Sequence, residues 1–202
     1  ELPGEVTKEP AFGLEAKWIA MSDRHQAERL GYTTVDAPTV MTTHLSELLR
    51  QYSADLLGRR EAQQLFDIFA AQHPKVLDEL VPNQMSAVEV VKVLRLLLRE
   101  GQSIRDLRTI VEALLEHASQ VKDTEQLTEL VRQRMSRHIS GRFVGQDGQI
   151  HGLFLDPQAE DVFRQLQRGT AVSDPQALSR IMKSLESAMQ GFAASSHAPV
   201  IV

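Results

Sequence analysis

The sequence contains no cysteine, so neither a disulfide framework nor a thiolate metal site can form. Such a composition suits a reducing compartment. Aromatic residues are scarce at 5%, which leaves Leu, Val, Ile and Ala to fill the core. No run approaches the roughly 18–20 apolar residues needed to cross a bilayer. The opening, Glu1-Leu-Pro-Gly-Glu5, has neither the basic nor the apolar region of a signal peptide. Positive charge is in deficit: the net charge of -5 argues against a nucleic-acid partner, because phosphate-binding domains usually carry a basic stripe. An initiator Met is missing, and Ala198-Pro-Val-Ile-Val202 reads as half a strand, so a piece truncated at both ends is expected.

What is present is enough for a core. Hydrophobic residues make up 42% of 202 residues, a length that suits one domain or a few small packed lobes. Residues 1–14 read as an extended opening, and Lys17–Ala20 as a short strand. Ser22 and Asp23 start a helix that runs to Leu30 and stops at Gly31. Tyr32–Val35, aromatic and β-branched, reads as a second strand. From Pro38 the pattern turns helical, with Val40, His44, Leu45, Leu48, Leu49, Tyr52 and Leu56 recurring along one run that Gly58 breaks. A helix over 59–71 places Ala62, Leu65, Phe66 and Phe69 on one face. Pro74 opens a short helix ending near Pro82.

Ser86 and Glu89 form a capping-box pair for a helix to Glu100. Ser103 and Asp106 repeat the device before a stripe of Ile104, Leu107, Val111, Leu114 and Leu115. Asp123 begins a third helix carrying Leu127, Leu130, Val131, Met135 and Ile139. Residues 86–143 thus form a lobe of three antiparallel helices. Beyond the turn Gly145-Gln-Asp-Gly148, the pattern is a strand over 149–155, a helix from Asp156-Pro157 to about Arg168, a helix from Ser173-Asp-Pro175 to about Phe192, a loop over 193–197 and a strand from Val200. The fold class is α+β and mostly helical: a small α/β lobe, a central three-helix lobe and an incomplete C-terminal β-α-α-β lobe.

The usual catalytic constellations are missing. The seven histidines never reach the His-Glu-x-x-His spacing. No Gly-rich phosphate loop and no Gly-x-Ser-x-Gly elbow occurs. His44, on an apolar helix face, reads as a packed or hydrogen-bonded histidine and not a metal ligand. Adjacent acids such as Asp78 and Glu79 point in different directions and read as a solvated face. In Ser103-Ile-Arg-Asp-Leu-Arg108, Ser103 and Asp106 serve the helix start. Arg105 and Arg108, three apart, share a face suited to an anion or a neighbouring subunit's carboxylate; the two roles are compatible. No catalytic residue, metal site or cofactor is expected.

An ordered set of segments resembles the export-gate family of flagellar and injectisome type III secretion. The segments are Glu9-Pro-Ala-Phe-Gly-Leu14 with Trp18-Ile19, Leu30-Gly-Tyr-Thr-Thr-Val35, Thr42–Leu49, Leu57-Gly-Arg-Arg-Glu-Ala-Gln-Gln-Leu65, Leu80-Val-Pro82, Leu97–Ile110 and Leu127–Arg132. They cover about residues 9–140, and Gly58–Gln64 is closer to flagellar members. The resemblance implies a membrane part outside this chain and a cytosolic part that forms a nonameric ring on the cytoplasmic face of the bacterial inner membrane. That ring receives export substrates bound to chaperones and works beside the components of an ATPase complex, which drives export together with the proton gradient.

The resemblance also implies four subdomains, here an RRM-like α/β part over 1–57, a helical return over 58–83, a helical third part over 84–144 and an incomplete fourth over 145–202. The family's chaperone-binding dimple maps onto Gly31 and Tyr32. Its acidic neighbour falls near Arg29 and its threonine near Gln63, two positions where this sequence departs from the family. For Tyr32, a core-facing strand aromatic is the competing reading. An enzyme with a helical lid, an injectisome gate and a generic helical adaptor are the competing functions.

Overall fold

The computed structural model describes residues 2–168, 175–193 and 200–201, and they fall into two compact units, residues 1–134 and 135–202. The fold is α+β and mostly helical.

The first unit opens with a hairpin. Strands β1 (Glu5–Lys8) and β2 (Glu15–Trp18) pair antiparallel, with Glu5 opposite Trp18 and Lys8 opposite Glu15. The extended opening and the strand over Lys17–Ala20 read from the sequence are therefore one hairpin, shifted towards the N-terminus. Its loop closes because the Glu9 carboxylate accepts from the amides of Ala11 (2.9 Å) and Phe12 (2.7 Å), while Gly13 reverses the chain at φ 70°.

A single 3₁₀ turn, Met21–Asp23, leads into α1 (Arg24–Arg29). This helix ends in a Schellman motif: Gly31 takes φ 85°, its amide donates to Glu28 O, and the Tyr32 amide donates to Ala27 O, both at 3.1 Å. The strand expected at Tyr32–Val35 does not form. Those residues make no ladder among the described residues, because the motif has already turned the chain back along α1.

Helix α2 (Ala37–Gln51) starts on Asp36, whose side chain accepts from the Thr39 amide at 2.9 Å, with Pro38 in the first turn. The single helical run expected to Leu56 is broken at Tyr52, where the backbone (φ -100°, ψ 12°) leaves the helix before α3 (Ser53–Leu56). Arg95 Nε then donates to Leu57 O at 2.9 Å, fastening the end of α3, which packs on the helix that carries Arg95. Helix α4 (Arg59–Gln72) buries Ala62, Phe66 and Phe69, and α5 (Pro74–Leu80) buries Leu80.

Three helices carry the core: α6 (Ala87–Arg99), α7 (Leu107–His117) and α8 (Thr124–Arg134). Val90, Val93, Leu94, Leu97, Ile110, Val111, Leu114, Leu127 and Val131 are all fully buried, each contributing about 1–3 kcal/mol by removal of apolar surface from water. The Ser86–Glu89 capping box is present in both directions. Helix α6 ends in a second Schellman motif at Gly101, φ 68°. The next start is later than the sequence pattern indicates: Asp106, not Ser103, caps α7 by accepting from Thr109 N, while Ser103 Oγ accepts from Arg105 N in the preceding turn.

In the second unit, the helix expected to continue through Met135 is interrupted there (ψ 4°), and α9 spans Ser136–Gly141. Val144 and Ile150 form an antiparallel bridge across the Gly145–Gly148 turn. Of the expected strand over 149–155, Ile150 makes that bridge and Gly152–Leu153 form β3, which runs parallel to β4 (Val200–Ile201). Between them lie α10 (Pro157–Gln167), capped by Asp156 through the amides of Gln158 and Ala159, and α11 (Pro175–Ala193). The β-α-α-β order is thus present. The expected helix start at Ser173–Asp174 and the loop over 194–197 lie outside the described residues; Ala193, assigned to that loop, ends α11.

Candidate docking site

The sequence places candidate residues at the end of α1, and the structure explains how they are held. Helix α1 is short, and only Ala27 is buried in it. Its carbonyl accepts from both Leu30 N and Tyr32 N. Because Gly31 turns the chain, Tyr32 leaves the helix end and faces solvent, 63% exposed. The competing reading of Tyr32 as a core-facing strand aromatic is therefore overturned. Leu30 (57%) and Val35 (52%) are exposed on either side.

A carboxylate not singled out by the sequence organises this segment. Glu28 Oε1 accepts from Thr34 Oγ1 at 2.7 Å and from Arg24 Nε at 3.0 Å, and its other oxygen lies 3.5 Å from His25 Nδ1. The Thr34 hydroxyl first, then Arg24, holds the Glu28 carboxyl below the usual glutamate range. Asp36 is likewise lowered by its bonds to Thr39. The only sequence signal for Glu28 was an acid three residues before a helix-ending glycine, which does not reveal that Thr34 folds back to meet it.

Arg29 closes α1 and is exposed, so Arg29, Gly31 and Tyr32 adjoin. Gln63 lies on the exposed side of α4, where its amide nitrogen donates to Asp67 Oδ1 at 2.9 Å; no hydrogen bond joins it to the Tyr32 segment among the described residues. Arg105 and Arg108 do not share a helix face, because α7 begins at Leu107 and Arg105 precedes it. Arg108 is committed to Glu112 at 2.7 Å, a bond that raises its pKa.

Elsewhere, two carboxylates cap helices. A depression of about 360 Å³ lined by Glu89, Lys92, Lys122, Asp123, Thr124 and Glu125 uses Glu89 for the α6 cap and Asp123 for the amides of Glu125 and Gln126. Among the described residues, no three His, Asp or Glu side chains gather as a metal site. No helix among them is long and apolar enough to cross a membrane.

The fold matches solved secretion proteins. It is similar to Chlamydia pneumoniae CdsV, solved with CdsO, at 28% identity and a TM-score of 0.75, over 92% of this chain and 55% of that one. It is also similar to the nonameric EscV cytosolic domain from the type III secretion system, at 22% identity and a TM-score of 0.67, over 93% of this chain and 64% of that one. The chain thus shares the fold of these two solved proteins. More particularly, the chain belongs to the FHIPEP family, whose profile matches residues 1–202. The flagellar biosynthesis protein FlhA of Yersinia enterocolitica is 40% identical over 189 residues, 94% of this chain. The chain spans 27% of that relative's length.

Proposed function

We propose that the chain is part of the cytosolic docking platform of a flagellar type III export gate, which receives chaperone-bound export substrates and passes them to a membrane channel. The observation that carries this reading is Tyr32, a large aromatic exposed on a hydrogen-bonded segment and flanked by Leu30 and Val35. An apolar anchor on a fixed mount is what a partner helix or strand buries when it docks. Membership of the family and the 40% identity to a flagellar biosynthesis protein favour the flagellar system.

On this reading the protein transforms no substrate, and the ionisable groups that cap helices are structural. Arg29, Gly31, Tyr32 and Gln63 belong to the chaperone-binding surface, and Arg105 and Arg108 to contacts between subunits of a nonameric ring. The four-part division at 57/58, 83/84 and 144/145 describes subdomains of that ring subunit, and hinged lobes would open and close access to the surface. The whole protein is held at the cytoplasmic face of the inner membrane by a segment outside this chain. The solved complex of CdsV with CdsO supports a further protein partner; a component of the ATPase complex is the partner proposed.

The test is Tyr32→Asp, with affinity for a flagellar chaperone–cargo complex measured by calorimetry. We expect binding to weaken while the helical signal stays. An unchanged affinity in a folded variant means the surface lies elsewhere.

A further inference from the structure

We propose that Glu28 is the positioning residue of the docking surface: its carboxylate, bridging Thr34 and Arg24, straps Tyr32–Val35 onto α1 and so presents Tyr32 in one orientation. The inference rests on the reading of Tyr32 as an anchor and adds the device that holds it.

The need for a strap follows from the backbone. The Tyr32 amide is bonded to Ala27 O, and the helical bonds resume with Val40 N donating to Asp36 O. Between them, Thr33, Thr34 and Val35 make no backbone hydrogen bond among the described residues. A stretch of that kind samples many conformations unless a side chain ties it down. The bond from Thr34 Oγ1 to Glu28 Oε1, at 2.7 Å, joins that stretch back to α1. Arg24 and His25, one and nearly one helical turn earlier, face the same carboxylate at 3.0 and 3.5 Å. They favour its ionised form, the stronger acceptor for a hydroxyl. An exposed Arg–Glu pair within one helix is worth little by itself. The Thr34 bond differs because it closes a loop around the anchor, and a preformed anchor loses less freedom when a partner buries it.

The experiment is carried out on the intact gate protein with a purified flagellar chaperone–cargo complex as the probe. Amide exchange at Tyr32 and binding affinity are measured for Glu28→Ala, Thr34→Val, their double variant, Glu28→Gln, Arg24→Ala and Tyr32→Ala. Exchange in α6–α8 checks the fold. We expect Glu28→Ala and Thr34→Val each to speed exchange at the Tyr32 amide, which is bonded to Ala27 O, and to weaken binding roughly fivefold, the size of one lost hydrogen bond. The double variant should be no worse than either single one, because both remove the same bond. Glu28→Gln, which keeps an acceptor oxygen, should retain most of the affinity, and Arg24→Ala should change little. Unchanged exchange in Glu28→Ala overturns the strap. Faster exchange with unchanged affinity overturns the positioning role while the strap stands. Unchanged affinity in Tyr32→Ala overturns the docking reading, and the positioning role with it, whatever exchange reports.

Discussion

His44 of α2 reaches back to the tip of the first hairpin: its Nδ1 lies 2.9 Å from the carbonyl oxygen of Pro10, thirty-four residues earlier. A carbonyl only accepts, so Nδ1 carries the proton. An isolated two-stranded hairpin is marginal in water, and this bond tethers β1–β2 to a helix. In His44→Ala we expect amide exchange over Val6–Lys17 to quicken by roughly fivefold, the loss of one hydrogen bond. Amides of α6 and α7 should keep their protection. Equal exchange throughout the hairpin would show that the tether carries no free energy.

The helices were legible because their signals are local. Ser86 with Glu89, Pro38, and Asp156 before Pro157 each mark a helix start, and a helix begins at each; the Asp36 cap before Pro38 is added by the structure. The strands were less so. Glu5–Lys8 was read as part of an extended opening and not as a paired strand, because its pairing depends on the Glu9 carboxylate closing a loop, a side-chain event that strand propensity does not register. Tyr32–Val35 has strand-like residues, yet Leu30-Gly31-Tyr32 equally spells a Schellman motif, and that local geometry won. At the candidate site, Gly31 and Tyr32 were identified from sequence. Glu28 was not, because its partner Thr34 meets it only after the turn.

The capping box of α6 gives a stability prediction with a pH signature. Ser86→Ala removes the hydroxyl that accepts from Glu89 N, and a cap of this kind costs about 0.5–2 kcal/mol. Glu89 in turn accepts from the Ser86 amide and hydroxyl, both at 2.8 Å, and these bonds, the backbone one first, lower its pKa. A lowered folded pKa means the unfolded chain binds more protons on acidification. The stabilisation is therefore complete above the unfolded value of about 4.3 and is lost as pH falls through the lower folded value. Denaturant titrations should show Glu89→Gln less stable than the parent at pH 7, with the gap narrowing below about pH 4. A gap constant between pH 7 and pH 3 would rule out this linkage.

Leu97 has no exposed surface and sits where α6 meets the other core helices. Leu97→Ala should destabilise the first unit by about 2–5 kcal/mol, the transfer and cavity cost of a buried leucine. Urea unfolding followed by circular dichroism measures it. Leu45→Ala, on the exposed side of α2, should cost far less in the same chain. Similar losses at both positions would mean that α2 is packed as tightly as α6.

Gly31 and Gly101 make a matched pair for separating backbone strain from position. Both sit after a helix with positive φ, 85° and 68°, and a Cβ added at either meets nothing within 4 Å. Both are followed by an amide that donates to the carbonyl five residues back: Tyr32 to Ala27 at 3.1 Å and Gln102 to Leu97 at 2.9 Å. With steric clash absent, alanine at either site should cost about 1–2 kcal/mol, the penalty of a left-handed backbone alone, and asparagine should cost less. The consequences should diverge. At Gly101 the strain falls on the turn between two core helices, so the loss should appear in global unfolding. At Gly31 a relaxing backbone has an easier exit: the Schellman bonds open and the Tyr32 amide exchanges faster, while α6–α8 unfold at the same urea concentration as in the parent. A Gly31→Ala variant that lowers global stability as much as Gly101→Ala would show that α1 and its end unfold together with the core, and the exposed tyrosine would then be mounted on a far stiffer base than its short helix suggests.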